Sequence, residues 1–161
     1  MDASIGSSKP TKKRLLVLDT DHVSALGSPS EVGVELLERI SASGQDAATT
    51  IINVEEQLRG WLAEIHRLTD PHRQIVAYGR LQRRIDFFAA WTVLAWDAAA
   101  ADLFVRFRQQ GLRIGSLDLK IACVALAHDA TLLTATRPTS PKCPACESRI
   151  GWIEQACVNL S

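Results

Sequence analysis

Four consecutive apolar residues, Leu15–Leu18, stop abruptly on a pair of acids, Asp19 and Asp21. An apolar run without alternation fits a strand buried on both faces, which happens chiefly where helices cover both sides of a parallel sheet. Downstream, SEVGVELLERISAS at 30–43 puts Val34, Leu37 and Ile40 at helical spacing, with Ser30 as N-cap and Gly44 as stop. AATTII at 47–52 reads as a second strand, and Asn53 as the cap of a helix with Leu58, Leu62 and Ile65 on one face. Beyond Pro71 another helix runs from about His72 to Ala90. WTVLAW at 91–96 reads as a third strand, and Asp97 caps an alanine-rich helix through about Gln110. GLRIGSLDLKIACVALAHDA leads into a helix with Ile121, Val124 and Ala125 inward, and ATLLTAT at 130–136 is the last clear strand. Strands that alternate with helices along the chain predict a three-layer α/β/α sandwich with a central, mainly parallel sheet.

At 161 residues the chain suits one such domain. The expected division is a polar, basic arm over 1–13, the domain over 14–137, and a segment over 138–161 that turns to Pro, Cys and Ser. With 47% apolar and 22% charged residues the composition is that of a globular protein and not of a disordered one. Eighteen basic against eighteen acidic side chains exclude nucleic-acid binding by bulk charge, though not by a local basic face. No apolar run approaches the ~20 residues of a membrane span, and the first residues do not have the pattern of a secretory signal. Four cysteines, at 123, 143, 146 and 157, do not make a disulfide framework in a chain of this length, so a cytoplasmic setting is expected.

In an open α/β sheet, ligands gather outside the carboxyl ends of the strands. Asp19 ends the first strand, Glu56 falls in the first turn of the helix after the second, and Asp118 opens the helix after the Arg113–Gly115 turn. Converging acids would repel one another without a cation, and Mg2+ or Mn2+ takes such oxygen ligands. Each acid taken alone is equally well explained as a helix cap.

The residues around these acids narrow the choice. LLVLDTDHVSAL, INVEEQLRGW and IGSLDLKIACVALAHDATLLT resemble, in order and spacing, the motifs of PIN-domain ribonucleases, and most closely those of VapC-type toxins of type II toxin–antitoxin pairs. The resemblance covers about 14–137. It implies a metal-dependent endoribonuclease in which Asp19 and Asp118 bind Mg2+ or Mn2+ and Glu56 completes the catalytic acids. In the family the glutamate commonly sits four residues before a glycine, so the resemblance, through Gly60, implies Glu56 and not its neighbour Glu55 as the middle acid. The family's fourth acid is missing, because Thr139 stands where an Asp is usual. That leaves open whether one or two metals bind, and Asp21 is a partial substitute. Thr20 and Thr134 offer supporting hydroxyls. The resemblance also implies an antitoxin partner and a homodimer.

An acidic pocket needs a basic rim to hold RNA. Arg59, Arg67, Arg73, Arg80, Arg83 and Arg84 crowd residues 59–84 against only Glu64 and Asp70, and Arg59, Arg73, Arg80, Arg83 and Arg84 are the candidate RNA contacts. A solvated helix face explains any one of them as well. Phe87, Phe88, Trp91 and Trp96 read as core, Trp61 as the exception. Cys143 and Cys146 form a Cys-Pro-Ala-Cys pair that would need two more ligands for structural zinc, with Cys157, His128 or His66 available. A functional disulfide and an incidental pair are the other readings.

Two further functions compete. A PIN-like scaffold that binds RNA or a protein without cutting accommodates the missing acid. A haloacid-dehalogenase-like phosphatase would use Asp19 as nucleophile and Asp21 as general acid. It also needs a downstream Lys and a Gly-Asp-rich acidic loop. Lys120 lies inside the helix after Asp118, and no such loop is present.

Overall fold

A computed structural model describes residues 14–28 and 30–134. The arm at 1–13, the segment at 138–161 and the cysteines at 143, 146 and 157 lie outside the described residues. The order is β1 (Leu16–Leu18), α1 (Thr20–Leu26), α2 (Glu31–Ser43), β2 (Ala47–Thr50), α3 (Ile51–Arg67), α4 (Pro71–Ala89), β3 (Val93–Leu94), α5 (Ala98–Gln109), α6 (Ser116–Ala127) and β4 (Thr131–Leu133). The strands lie in the order β3-β2-β1-β4, and every pairing is parallel. The expected α/β/α sandwich is the architecture found.

β1 shows why its apolar run does not alternate. Val17 packs into a cluster with Ala48, Leu119, Val124 and Leu132, with α5 and α6 on that side. Leu16 and Leu18 point the opposite way, toward Val23, Ile40, Phe88 and Leu133, under α1, α2 and α4. All three residues of β1 are buried, each worth about 1.5–3 kcal/mol on leaving water. Phe88 is buried, whereas Phe87, Trp91 and Trp96 are half-buried against these clusters, and Trp61 is also half-buried.

The helix limits correct several expectations. β2 is four residues, not six, because Thr50 caps α3: its Oγ1 accepts from the Asn53 amide, while Asn53 Oδ1 accepts from the Thr50 amide. This reciprocal bonding satisfies end-of-helix donors and makes Asn53 the third residue of α3, not its cap. Glu56 therefore sits in the second turn, not the first. The inner face of α3 is Ile52, Asn53, Gln57 and Ile65, and Leu62 is exposed. In α2, Ser30 and Gly44 do cap and stop the helix, Gly44 at φ +64°. Ile40 is buried as expected, but Val34 and Leu37 are exposed.

Gly33 explains which stripe of α2 turns inward. A Cβ there would lie 2.3 Å from the Ala25 carbonyl oxygen, so α2 meets α1 at a distance only glycine permits. Gly33→Ala should therefore lower stability by about 1–3 kcal/mol, read from urea unfolding. A midpoint equal to wild type would mean that the two helices separate without penalty.

Candidate active site

Three parallel neighbours, β2, β1 and β4, end at the same edge of the sheet, and each delivers polar residues there. Immediately after β1 the chain enters α1, whose N-cap is Asp19. The Asp19 amide donates to the Leu133 carbonyl at 3.1 Å, which ties this turn to the end of β4. Asp19 Oδ1 accepts from the His22 amide at 3.0 Å and lies 2.7 Å from His22 Nδ1. The Thr134 hydroxyl donates to the same carboxyl. Burial alone would push the Asp19 pKa up, but the hydrogen bonds from His22 and Thr134 outweigh it and hold the group below its ordinary value. An ionised carboxylate only accepts, so His22 carries its proton on Nδ1.

From the other side, α3 brings in Glu56. Its Oε2 accepts from Thr20 Oγ1 at 2.5 Å, and Thr20 Oγ1 accepts in turn from Asn53 Nδ2 at 3.0 Å. Gln57 Nε2 donates to Ser24 Oγ at 3.0 Å and clamps α1 against α3. Glu55 faces outward and pairs with Arg59 one turn on, so the two neighbouring glutamates have different surroundings. Asp118 stands in the first turn of α6, exposed, with Oδ2 only 2.8 Å from where a Gly115 Cβ would be. Asp21 is exposed in the first turn of α1. Because β1 ends at Leu18, Asp19 and Asp21 do not share a strand face as an extended chain would require.

The structure thus brings Asp19, Thr20, Glu56 and Thr134 to one edge. Among the described residues, no three His, Cys, Asp or Glu side chains form a group that could hold a metal, so Asp118 does not close a cage with Asp19 and Glu56. All-oxygen donors on one or two carboxylates nevertheless suit Mg2+, which keeps several waters and takes phosphate oxygens as further ligands.

The arginines divide. Arg59, Arg73 and Arg80 are exposed and pair with Glu55, Asp70 and Glu64. Arg83 is exposed. Arg84 is turned inward, 8% exposed, which takes it out of the candidate RNA contacts. Its guanidinium lies over the Phe87 ring and reaches the Val23 carbonyl at 3.4 Å, near the negative end of α1. Lys120 lies 5.7 Å from the Trp96 ring centre, committed to the α6 side of the sheet.

The sequence does not single out His22, Asn53 or Gln57 for the site, and Asn53 reads there only as a helix cap. Asp-x-x-His opening a helix was the available signal for the first, and Thr-x-x-Asn at 50–53 for the second.

No protein-family model matches the chain, and no curated protein matches it. Solved structures do. The chain resembles VapBC2 from Rickettsia felis, bound to a DNA fragment from its promoter, at 23% identity over 76% of this chain and 87% of that one, TM-score 0.53. It resembles FitAcB from Neisseria gonorrhoeae at 23% identity over 75% and 87%, TM-score 0.53. A toxin–antitoxin complex from Klebsiella pneumoniae gives 18% identity over 81% and 93%, TM-score 0.58. Identities this low establish the fold. The chain is a PIN-like α/β/α sandwich. Within that class its likeness is to VapC-type structures.

Proposed function

We propose that the chain is a metal-dependent endoribonuclease and the toxin of a toxin–antitoxin pair. The observation that carries this reading is the meeting of Asp19 and Glu56, through Thr20, at the carboxyl edge of a sheet with the PIN-like fold. The solved structures that resemble it include toxin–antitoxin complexes, which supports a protein antitoxin as partner. Exposed apolar residues on α4, among them Ile75, Val76 and Tyr78, suit a surface covered by that partner or by a second copy.

In this reading Asp19 and Asp118 would hold Mg2+ or Mn2+, which when bound would supply charge neutralisation at the phosphate and activation of water. His22 and Thr134 fix the Asp19 carboxylate and keep it ionised. Glu56, held by Thr20, orients the attacking water and takes its proton. Arg59, Arg73, Arg80 and Arg83 offer exposed cations to RNA phosphates.

The test is cleavage of a pool of structured cellular RNAs by purified protein with Mg2+, Mn2+ or EDTA. Discrete products that need the metal are expected. A folded chain that cuts nothing with either metal would replace this reading by a non-cutting, RNA- or partner-binding scaffold. The exposed Asp118, which joins no three-ligand group among the described residues, favours that second reading.

A further inference from the structure

Two donors of one residue, the Thr50 amide and hydroxyl, converge on Asn53 Oδ1 at 3.1 and 2.6 Å. Only the oxygen end of the Asn53 amide accepts both, so the amide has one orientation and Nδ2 faces Thr20. Nδ2 donates to Thr20 Oγ1 at 3.0 Å. A hydroxyl has one proton, and with its oxygen already accepting from Asn53, Thr20 spends that proton on Glu56 Oε2. The chain of bonds therefore has a single polarity, running from the Thr50 cap to the Glu56 carboxylate. Asn53 and Thr50 are each 0% exposed, so water does not replace the links between them. Glu56 Oε1 has no protein hydrogen bond among the described residues.

We propose that Asn53 is a positioning residue: acting through Thr20, it fixes Glu56 Oε2 as an acceptor and leaves Oε1 to take the proton of the attacking water. The proposal rests on the nuclease reading above. It also explains why an uncharged polar side chain is buried at the start of α3. Aspartate at position 53 would keep both cap bonds from Thr50 but present an oxygen to Thr20, whose proton would then turn away from Glu56.

The experiment measures kcat and KM on the RNA cut most strongly in the pool, with Mg2+, using the full chain. Asn53→Asp and Thr20→Val should each lower kcat at least about tenfold with KM within about twofold. Thr20→Ser, which keeps the hydroxyl, should recover most of the lost kcat. The double variant Asn53→Asp/Thr20→Val should fall no more than about twofold below Thr20→Val, because both act on one link. Losses that multiply in the double variant, or that follow the fall in Tm, would make Asn53 a partner of the Thr50 cap and nothing more. If Asn53→Asp does not fold, Thr20→Val against Thr20→Ser carries the test, and equal kcat in the two overturns the proposal. Wild-type chain that cuts no RNA removes the nuclease reading and this proposal together, whereas wild-type cleavage with an unimpaired Thr20→Val removes the proposal alone.

Discussion

Asp19→Asn is expected to lower metal-dependent cleavage at least about a hundredfold, roughly 2.7 kcal/mol of transition-state stabilisation, while the protein stays folded. The structure separates the two effects. Asp19 is the N-cap of α1, and asparagine caps a helix about as well as aspartate, so the bond from the His22 amide survives the exchange. The negative charge does not, and with it would go the affinity of the proposed site for a cation. Asp118→Asn should behave alike with even less effect on stability, since Asp118 is exposed and α6 has no side-chain cap bond. Mn2+ binding by calorimetry gives an independent reading, expected to weaken in both variants. Wild-type rates in either variant, with unchanged Mn2+ affinity, would remove that residue from the proposed metal site.

The second large effect separates two adjacent residues. Glu56→Gln should reduce kcat by about 10²–10⁴-fold, the range of a lost general base, whereas Glu55→Gln should stay within about twofold of wild type. Glu56 accepts from Thr20 at the sheet edge, and Glu55 lies on the outer face of α3 in an exposed pair with Arg59. Exposed pairs of this kind contribute about 0–1 kcal/mol, so breaking one leaves the fold intact. Equal losses in the two variants would mean that the acidity of the helix, and not one carboxylate, supports the reaction.

Much of this arrangement could be read before the structure, and the exceptions share a cause. The burial of β1 on both faces is legible from Leu15–Leu18, and the inward face of α6 from Ile121, Val124 and Ala125. α1 was missed because seven residues beginning at a strand end carry too little periodicity to announce a helix. In α2 and α3, spacing alone selected Val34, Leu37 and Leu62, while the packing chose the stripes containing Gly33, Asn53 and Gln57. Close backbone approach at Gly33 and hydrogen bonds across to α1 decided those faces, and neither leaves a mark in hydrophobic period. Arg84 misleads for the same reason: its sequence neighbours are exposed arginines, but its own partners are the Val23 carbonyl and the Phe87 ring.

The central strand has a consequence for the order of synthesis. β1 is made first, yet one of its two neighbours, β4, is more than a hundred residues downstream. A nascent chain halted anywhere before β4 lacks the partner for one edge of β1, the Leu133 carbonyl that receives the Asp19 amide, and the Thr134 hydroxyl on the Asp19 carboxyl. Such long-range parallel pairing closes slowly and last. Asp19 and Glu56 are therefore translated well before the strand that completes their edge, so a truncated product would carry most of the motifs without the Leu133 and Thr134 bonds to Asp19.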